Sequence, residues 1–206
     1  MAIIARETQG KEFKKVPPGA HFAICTMVVD CGLQEGFNGK PQHKVYLRWE
    51  VPDERVEYEK DGQLIEGPCS IGAMYTLSLS EKANLRKMLE NWRGKAFTPE
   101  ELKGFDICAV LGKCCQIMVT HAESGGKSYA NVTGVMGLSK DQLARAKTAR
   151  PENECLAYSI EEHDQKVFEK LPNWLKEKIK NRLEAPTEPV PSTAEAKEDF
   201  DDDIPF

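Results

Sequence analysis

Hydrophobic periodicity changes twice along this chain, and those changes bound its architecture more tightly than its composition does. Residues 44–51, KVYLRWEV, alternate: Val45, Leu47, Trp49 and Val51 fall on one side, Lys44, Tyr46, Arg48 and Glu50 on the other. That is the period of a strand with one buried face. Residues 80–94, SEKANLRKMLENWRG, instead place Leu85, Met88, Leu89 and Trp92 at helical spacing, opening on Ser80 and stopping at Gly94. Residues 113–138 return to the β pattern and break at Gly125-Gly126, the signature of a hairpin.

The flanking segments complete the order. Residues 19–31, GAHFAICTMVVDC, are β-branched and apolar after Pro17-Pro18-Gly19 and predict a long strand. A loop follows over 35–44, where two Gly, an Asn and a Pro cluster. Residues 56–66 predict a polar hairpin turning at Asp61-Gly62, and 69–79 a third main strand. Thr98, Pro99 and Glu101 form a capping box for one short turn of helix; 105–112 read as a strand or an apolar connector. A second capping box, Ser139 to Gln142, opens a helix through about Thr148. The segment 167–183 is amphipathic, interrupted at Pro172, with Leu171, Leu175, Ile179 and Leu183 in one row.

Three strands, a helix and two strands is the element order of an OB-fold, a five-stranded Greek-key barrel with a helix between its third and fourth strands. A doubly wound α/β sheet needs alternating strands and helices, and an SH3-like barrel leaves the 80–93 helix unexplained. The expected class is therefore mainly β, an OB-fold followed by carboxyl-terminal helices and a disordered acidic tail. The division runs 1–138 for the barrel, 139–184 for a helical extension, 185–198 for a disordered linker with three prolines, and 199–206 for an acidic tip.

The formal charge of −5 is unevenly spread: residues 184–206 hold eight acids against Lys197, a net −7, which leaves +2 for residues 1–183. A near-neutral body neither demands nor excludes an anionic partner, since a patch can be basic on a neutral protein. No stretch approaches the roughly 18 consecutive apolar residues of a membrane span, and MAIIAR is too short for a secretory signal, so a cytoplasmic protein with no membrane partner is expected. Cys25, Cys108, Cys114 and Cys115, among an odd total of seven, sit in apolar strand-like runs and read as reduced thiols.

Motifs for catalysis and cofactors fail on spacing. GGKS at 125–128 has His121 where a phosphate loop needs Gly. Cys108, Cys114, Cys115 and His121 match no zinc pattern, and adjacent Cys114 and Cys115 face opposite sides of a strand. No acid cluster suits a two-metal nuclease, and His21, His43, His121 and His163 are scattered. The expectation is a protein without enzymatic activity, cofactor or metal.

The segment 199–206, DFDDDIPF, has a task for each residue. Asp199, Asp201, Asp202 and Asp203 steer a basic partner surface, and Pro205 biases Ile204 toward an extended conformation. Phe200 and Phe206 are aromatic anchors, and the Phe206 α-carboxylate suits an Arg beside an apolar pocket. A solubilising tail gives no reason for Phe200, Ile204 and Phe206.

This octapeptide, behind a Pro-rich segment, resembles the carboxyl-terminal tip of bacterial single-stranded DNA-binding proteins. The body, by element order, resembles the OB-fold single-stranded DNA-binding proteins encoded by bacteriophages. The resemblance implies a protein that coats single strands in phage replication, recombination and repair. Its tip would recruit factors such as exonuclease I, RecQ-type helicases, primase and the chi subunit of the replicative polymerase. The usual amino-terminal strand sequence of the bacterial proteins is missing, so their tetramer is not carried over, and a homo-oligomer of another size stays open. Two alternatives also stay open: an adaptor or decoy that captures tip-reading host proteins without binding DNA, and a recombination mediator or annealing protein.

Sequence-independent binding of single strands needs cations for phosphates and rings for bases, and OB-folds place that groove across strands two and three with their loops. The expected DNA-binding residues are Lys44, Tyr46 and Arg48, pointing outward from the second strand. Phe37, Lys40 and His43 join them from the preceding loop, and Lys127 and Tyr129 from the last hairpin.

Overall fold

The computed structural model describes residues 14–36, 39–60 and 62–183. Phe37, the turn residue Asp61, the 185–198 linker and the 199–206 tip lie outside the described residues. The architecture is organised by its first strand, β1 (Gly19–Glu35), which is long enough to serve two partners. Its first part, Gly19–Ile24, pairs antiparallel with β4 (Cys114–Ser124), and from Ile24 to Glu35 it pairs antiparallel with β2 (Pro41–Lys60). The neighbours continue outward through β3 (Gln63–Thr76) and β5 (Lys127–Met136), giving the order β3-β2-β1-β4-β5. Sharing one bent strand curls this mainly β, antiparallel sheet into a half-barrel.

β1 is buried along nearly its whole middle, because the sheet has a core on each face. Register shifts between Cys25 and Met27 and between Asp30 and Gly32 make this workable. A bulge moves the alternation by one residue. Before the first shift Ala23 and Cys25 face the inner core; after it Val28 does, and Met27, Val29 and Cys31 turn to the other face.

The inner core joins Leu47, Trp49 and Val51 of β2 with Ile117 and Val119 of β4 and Val135 of β5. Helix α1 (Asn84–Arg93) closes it with Leu85, Met88, Leu89 and Trp92, the row expected from the sequence. The helix begins at Asn84 rather than Ser80, because Ser80–Lys82 form a turn, and it ends at Gly94, whose φ of +68° is the left-handed stop. The capping box of α2 (Pro99–Leu102) forms as read, with Thr98 and Glu101 bonding reciprocally. Of the two readings of residues 105–112, the apolar connector holds: Val110 is buried and Phe105, Ile107 and Leu111 pack on the inner core around a 3₁₀ turn at Ile107–Val110, which leaves Cys108 exposed rather than buried in a strand. All seven cysteines are unpaired, with Cys25, Cys31, Cys69 and Cys115 buried.

The polar 56–66 hairpin is not separate from the main strands. β2 and β3 run on as one long ladder from Lys44↔Thr76 to Lys60↔Gln63, interrupted by a register shift between Val51 and Arg55.

The extension is part of the same body. After α3 (Lys140–Thr148), the short strand β6 (Leu156–Tyr158) adds parallel to β1, an element the sequence pattern does not announce. Helices α4 (Gln165–Lys170) and α5 (Asn173–Lys180) follow, split at Pro172 as expected. Leu171, Leu175 and Ile179 then bury against Met27, Val29 and Cys31 with Leu156 and Tyr158, each such side chain contributing about 1.5–3 kcal/mol. Leu183, the last of the row, is 40% exposed. A buried carboxylate clips the connection: Glu50 accepts from the Glu152 N–H at 2.9 Å, the Asn153 N–H at 2.8 Å and Asn153 Nδ2 at 2.7 Å.

Candidate nucleic-acid interface

β3 and β5 are the two ends of the hydrogen-bonded order, and the half-barrel is open between them. α1 lies along this seam. Its buried side is the Leu85–Leu89–Trp92 row, so Asn84, Lys87 and Asn91, spaced i, i+3 and i+7, fall on the side that faces the opening. With Lys44 and Thr76 from the β2–β3 ladder, and Asn131 and Thr133 from β5, they line a cleft of about 580 Å³. Its walls hold two lysines, three asparagines and two threonines, and no carboxylate among the described residues. Lys44 Nζ donates to Thr76 Oγ1 at 2.9 Å, and Thr76 Oγ1 to Gln42 Oε1 at 3.3 Å, which anchors the ammonium at the end of β3. Tyr75 lies at the cleft floor, its phenol pKa pushed well up by burial. Such a surface offers positive charge with amide and hydroxyl hydrogen bonds, the complement of a phosphodiester chain.

Only part of the expected site meets here. Lys44 lines the cleft. Tyr46 and Arg48 do leave the inner face, but the outer face is covered by the extension, so neither presents a free stripe to solvent. Tyr46 packs edge-to-face on Trp174 of α5, with ring centroids 5.0 Å apart and planes at 86°. Burial raises its phenol pKa. Arg48 is half-buried, its Nε has no hydrogen-bond partner among the described residues, and burial lowers its pKa. The expectation of a solvent-facing Lys44–Tyr46–Arg48 stripe is corrected accordingly: a 2-residue period tells which side chains share a face, not which later segment covers it.

His43 is engaged by Asp30, with Nε2 2.5 Å from Oδ1. Lys40 is exposed just before β2, and Lys127 is exposed at the start of β5. Tyr129 is 48% exposed and lies on the same side of β5 as Asn131, two residues beyond the part of β5 that lines the cleft. Phe37 and residues Asp199 to Phe206 are outside the described residues. Sequence reading missed Asn84, Lys87 and Asn91, although the helical register that finds Leu85, Met88 and Leu89 also assigns them to one polar side. It missed Trp174, which falls outside the Leu171, Leu175, Ile179 and Leu183 row and carries no signal of its own in the sequence.

No protein-family model and no curated protein matches this chain. No helix among the described residues is long and apolar enough to cross a membrane, and no three His, Cys, Asp or Glu side chains among them gather as a metal group.

Proposed function

We propose that this chain is a non-enzymatic single-stranded DNA-binding protein on an OB-type barrel, in which the β3–β5 cleft holds the strand. The observation that carries this reading is the cleft's lysine and amide lining, with no carboxylate among the described residues. The strand order β3-β2-β1-β4-β5, with α1 between β3 and β4 in the chain, fits the OB topology. The resemblance of residues 199–206 to the bacterial tip supports the same reading and adds its second half: a phage-type coat protein, acting in the host cytoplasm, whose tip recruits replication and repair factors. Attraction is electrostatic and sequence-independent, with Lys44 and Lys87 meeting phosphates and the asparagines and threonines hydrogen-bonding the backbone.

The test is fluorescence anisotropy of a labelled oligo-dT with the full chain, with Lys44→Ala/Lys87→Ala, and with residues 1–198. The full chain should bind in a salt-dependent manner. The double variant should weaken binding and lower the slope of log K against log salt by about 1.4, at about 0.7 per lost phosphate contact. Residues 1–198 should bind more tightly than the full chain, most visibly at low salt, since the acidic segment competes with DNA for a basic groove; unchanged or weaker binding would remove that competition. No binding by the full chain at low salt would overturn the reading in favour of an adaptor that works through its tip alone.

A further inference from the structure

β3 borders a second hollow as well as the cleft. This hollow, about 550 Å³, lies on the outer side of the same strand and is lined by Gln34, Tyr46, Met74, Trp174, Lys178 and Asn181. Gly72, Ala73 and Met74 line both, so the two hollows border the same stretch of β3. Their chemistry differs. The cleft is cationic, whereas Glu177 and Lys178 leave the outer hollow near neutral, and two aromatic rings, Tyr46 and Trp174, line it.

Trp174 is unusual for its helix. Its neighbours Leu175 and Ile179 are 0% and 2% exposed, yet Trp174 keeps 48% of its surface in solvent. Tyr46 meets the indole edge-to-face, which fixes the orientation of the ring while leaving much of it open. Gly72 makes this arrangement possible, because a Cβ there would run into the Tyr46 hydroxyl and ring.

We propose that a bound single strand continues from the lysine cleft over β3 and stacks one base on Trp174. Tyr46 is then a positioning residue for that platform and not itself a DNA contact. The inference rests on the reading above and extends it to a residue of the carboxyl-terminal helix. A base suits the outer hollow because it is flat and uncharged, while the phosphates on either side stay with the cationic cleft.

The chain's tryptophans make the test selective. Trp49 and Trp92 are 0% and 9% exposed, so solvent-exposed tryptophan emission comes from Trp174. Oligo-dT is titrated into the full chain with excitation at the red edge, and anisotropy of the labelled oligonucleotide is read in parallel on wild type, Trp174→Ala and Trp174→Phe. The expected result is quenching of the exposed emission in wild type, affinity about tenfold weaker in Trp174→Ala, and most of it restored in Trp174→Phe. Anisotropy that shows binding without quenching, or with Trp174→Ala unchanged, would overturn the platform and leave the DNA-binding cleft standing. Absence of binding in the anisotropy channel would instead remove the underlying reading. If Trp174→Ala fails to fold, the wild-type quenching and the Phe variant still decide. Quenching by a protein partner with none by oligo-dT would overturn the proposal and mark the hollow as a protein-docking surface.

Discussion

Two helices cap this sheet, one on each face, and each carries a tryptophan. On the inner face α1 buries Trp92 to 9% exposure, and its indole N–H donates to the Cys114 carbonyl at 3.0 Å. Its ring also packs against Trp49, with centroids 6.2 Å apart. On the outer face α5 buries Leu175 and Ile179 but leaves Trp174 half in solvent. A ring that is buried and has its donor satisfied is part of the core; a ring that is oriented and left exposed is available to something else. The comparison turns on what each helix is for: α1 closes the barrel, whereas α5 closes a second core and holds one side chain out of it.

The largest effect expected from this difference is on stability. Trp92→Ala should cost about 3–5 kcal/mol, because it opens a cavity beside Trp49 and leaves the Cys114 carbonyl unpaired. Trp174→Ala should cost far less. Urea unfolding of both variants measures this directly, and equal losses would break the comparison. Leu175→Ala comes next, at about 2–5 kcal/mol, since Leu175 is fully buried in the outer core. If that core folds as one unit with the barrel, a single transition should persist in both fluorescence and far-UV circular dichroism. Two separated transitions would show that the outer layer melts on its own.

Most of the inner half of this design is legible in the amino-acid pattern. Alternation in β2, the helical row in α1 and the Gly-Gly turn of the last hairpin are local signals, and each element depends on its own residues. The outer half is less legible because it depends on pairing between distant segments. β6 is only three residues long and exists because β1 offers it an edge. The continuous burial of β1 looks like a single apolar run until its bulges divide it between two cores. The same limit governs the site. The lysine and asparagines of α1 follow from its register, but their meeting with Asn131 and Thr133 across an open seam is a fact of closure. The period of β2 points Tyr46 to solvent, because nothing in a strand's alternation shows that a helix residue 128 positions later will lie over it.

Glu50 tests the connection between the two halves. It is fully buried, and its oxygens accept three N–H donors from Glu152 and Asn153 at the entrance to β6. Glu50→Gln keeps the shape but replaces one accepting oxygen by a donor facing a donor. The expected cost is about 1–3 kcal/mol, with faster amide hydrogen exchange at 156–158 than in β4. Unchanged exchange at β6 would mean that the outer core, rather than this clip, holds the strand on β1.

The smallest effect separates the two helices by pH. The inner helix is tied by carboxylates as well as by its apolar row. Glu90 accepts from Arg86 Nε at 3.0 Å and from the Phe97 N–H at 3.2 Å, and Glu101 accepts from the Thr98 N–H at 2.9 Å and from Arg93. The pKa of Glu90 is lowered first by Arg86 and then by the Phe97 N–H, and that of Glu101 first by the Thr98 N–H and then by Arg93. A carboxyl held below its unfolded value adds stability above that value, about 4.3 for glutamate, and loses it as pH falls through the folded one. Both side chains are partly exposed, so the effect is modest. Helix α5 is seated by Leu175 and Ile179, which do not titrate. Acidification from pH 5 to pH 3 should therefore lower amide-exchange protection, taken relative to the intrinsic rate at each pH, in α1 more than in α5, and Glu90→Gln should remove part of that pH dependence. If α5 loosens first, the outer layer depends on charges, and the division between a titratable inner helix and an apolar outer one fails.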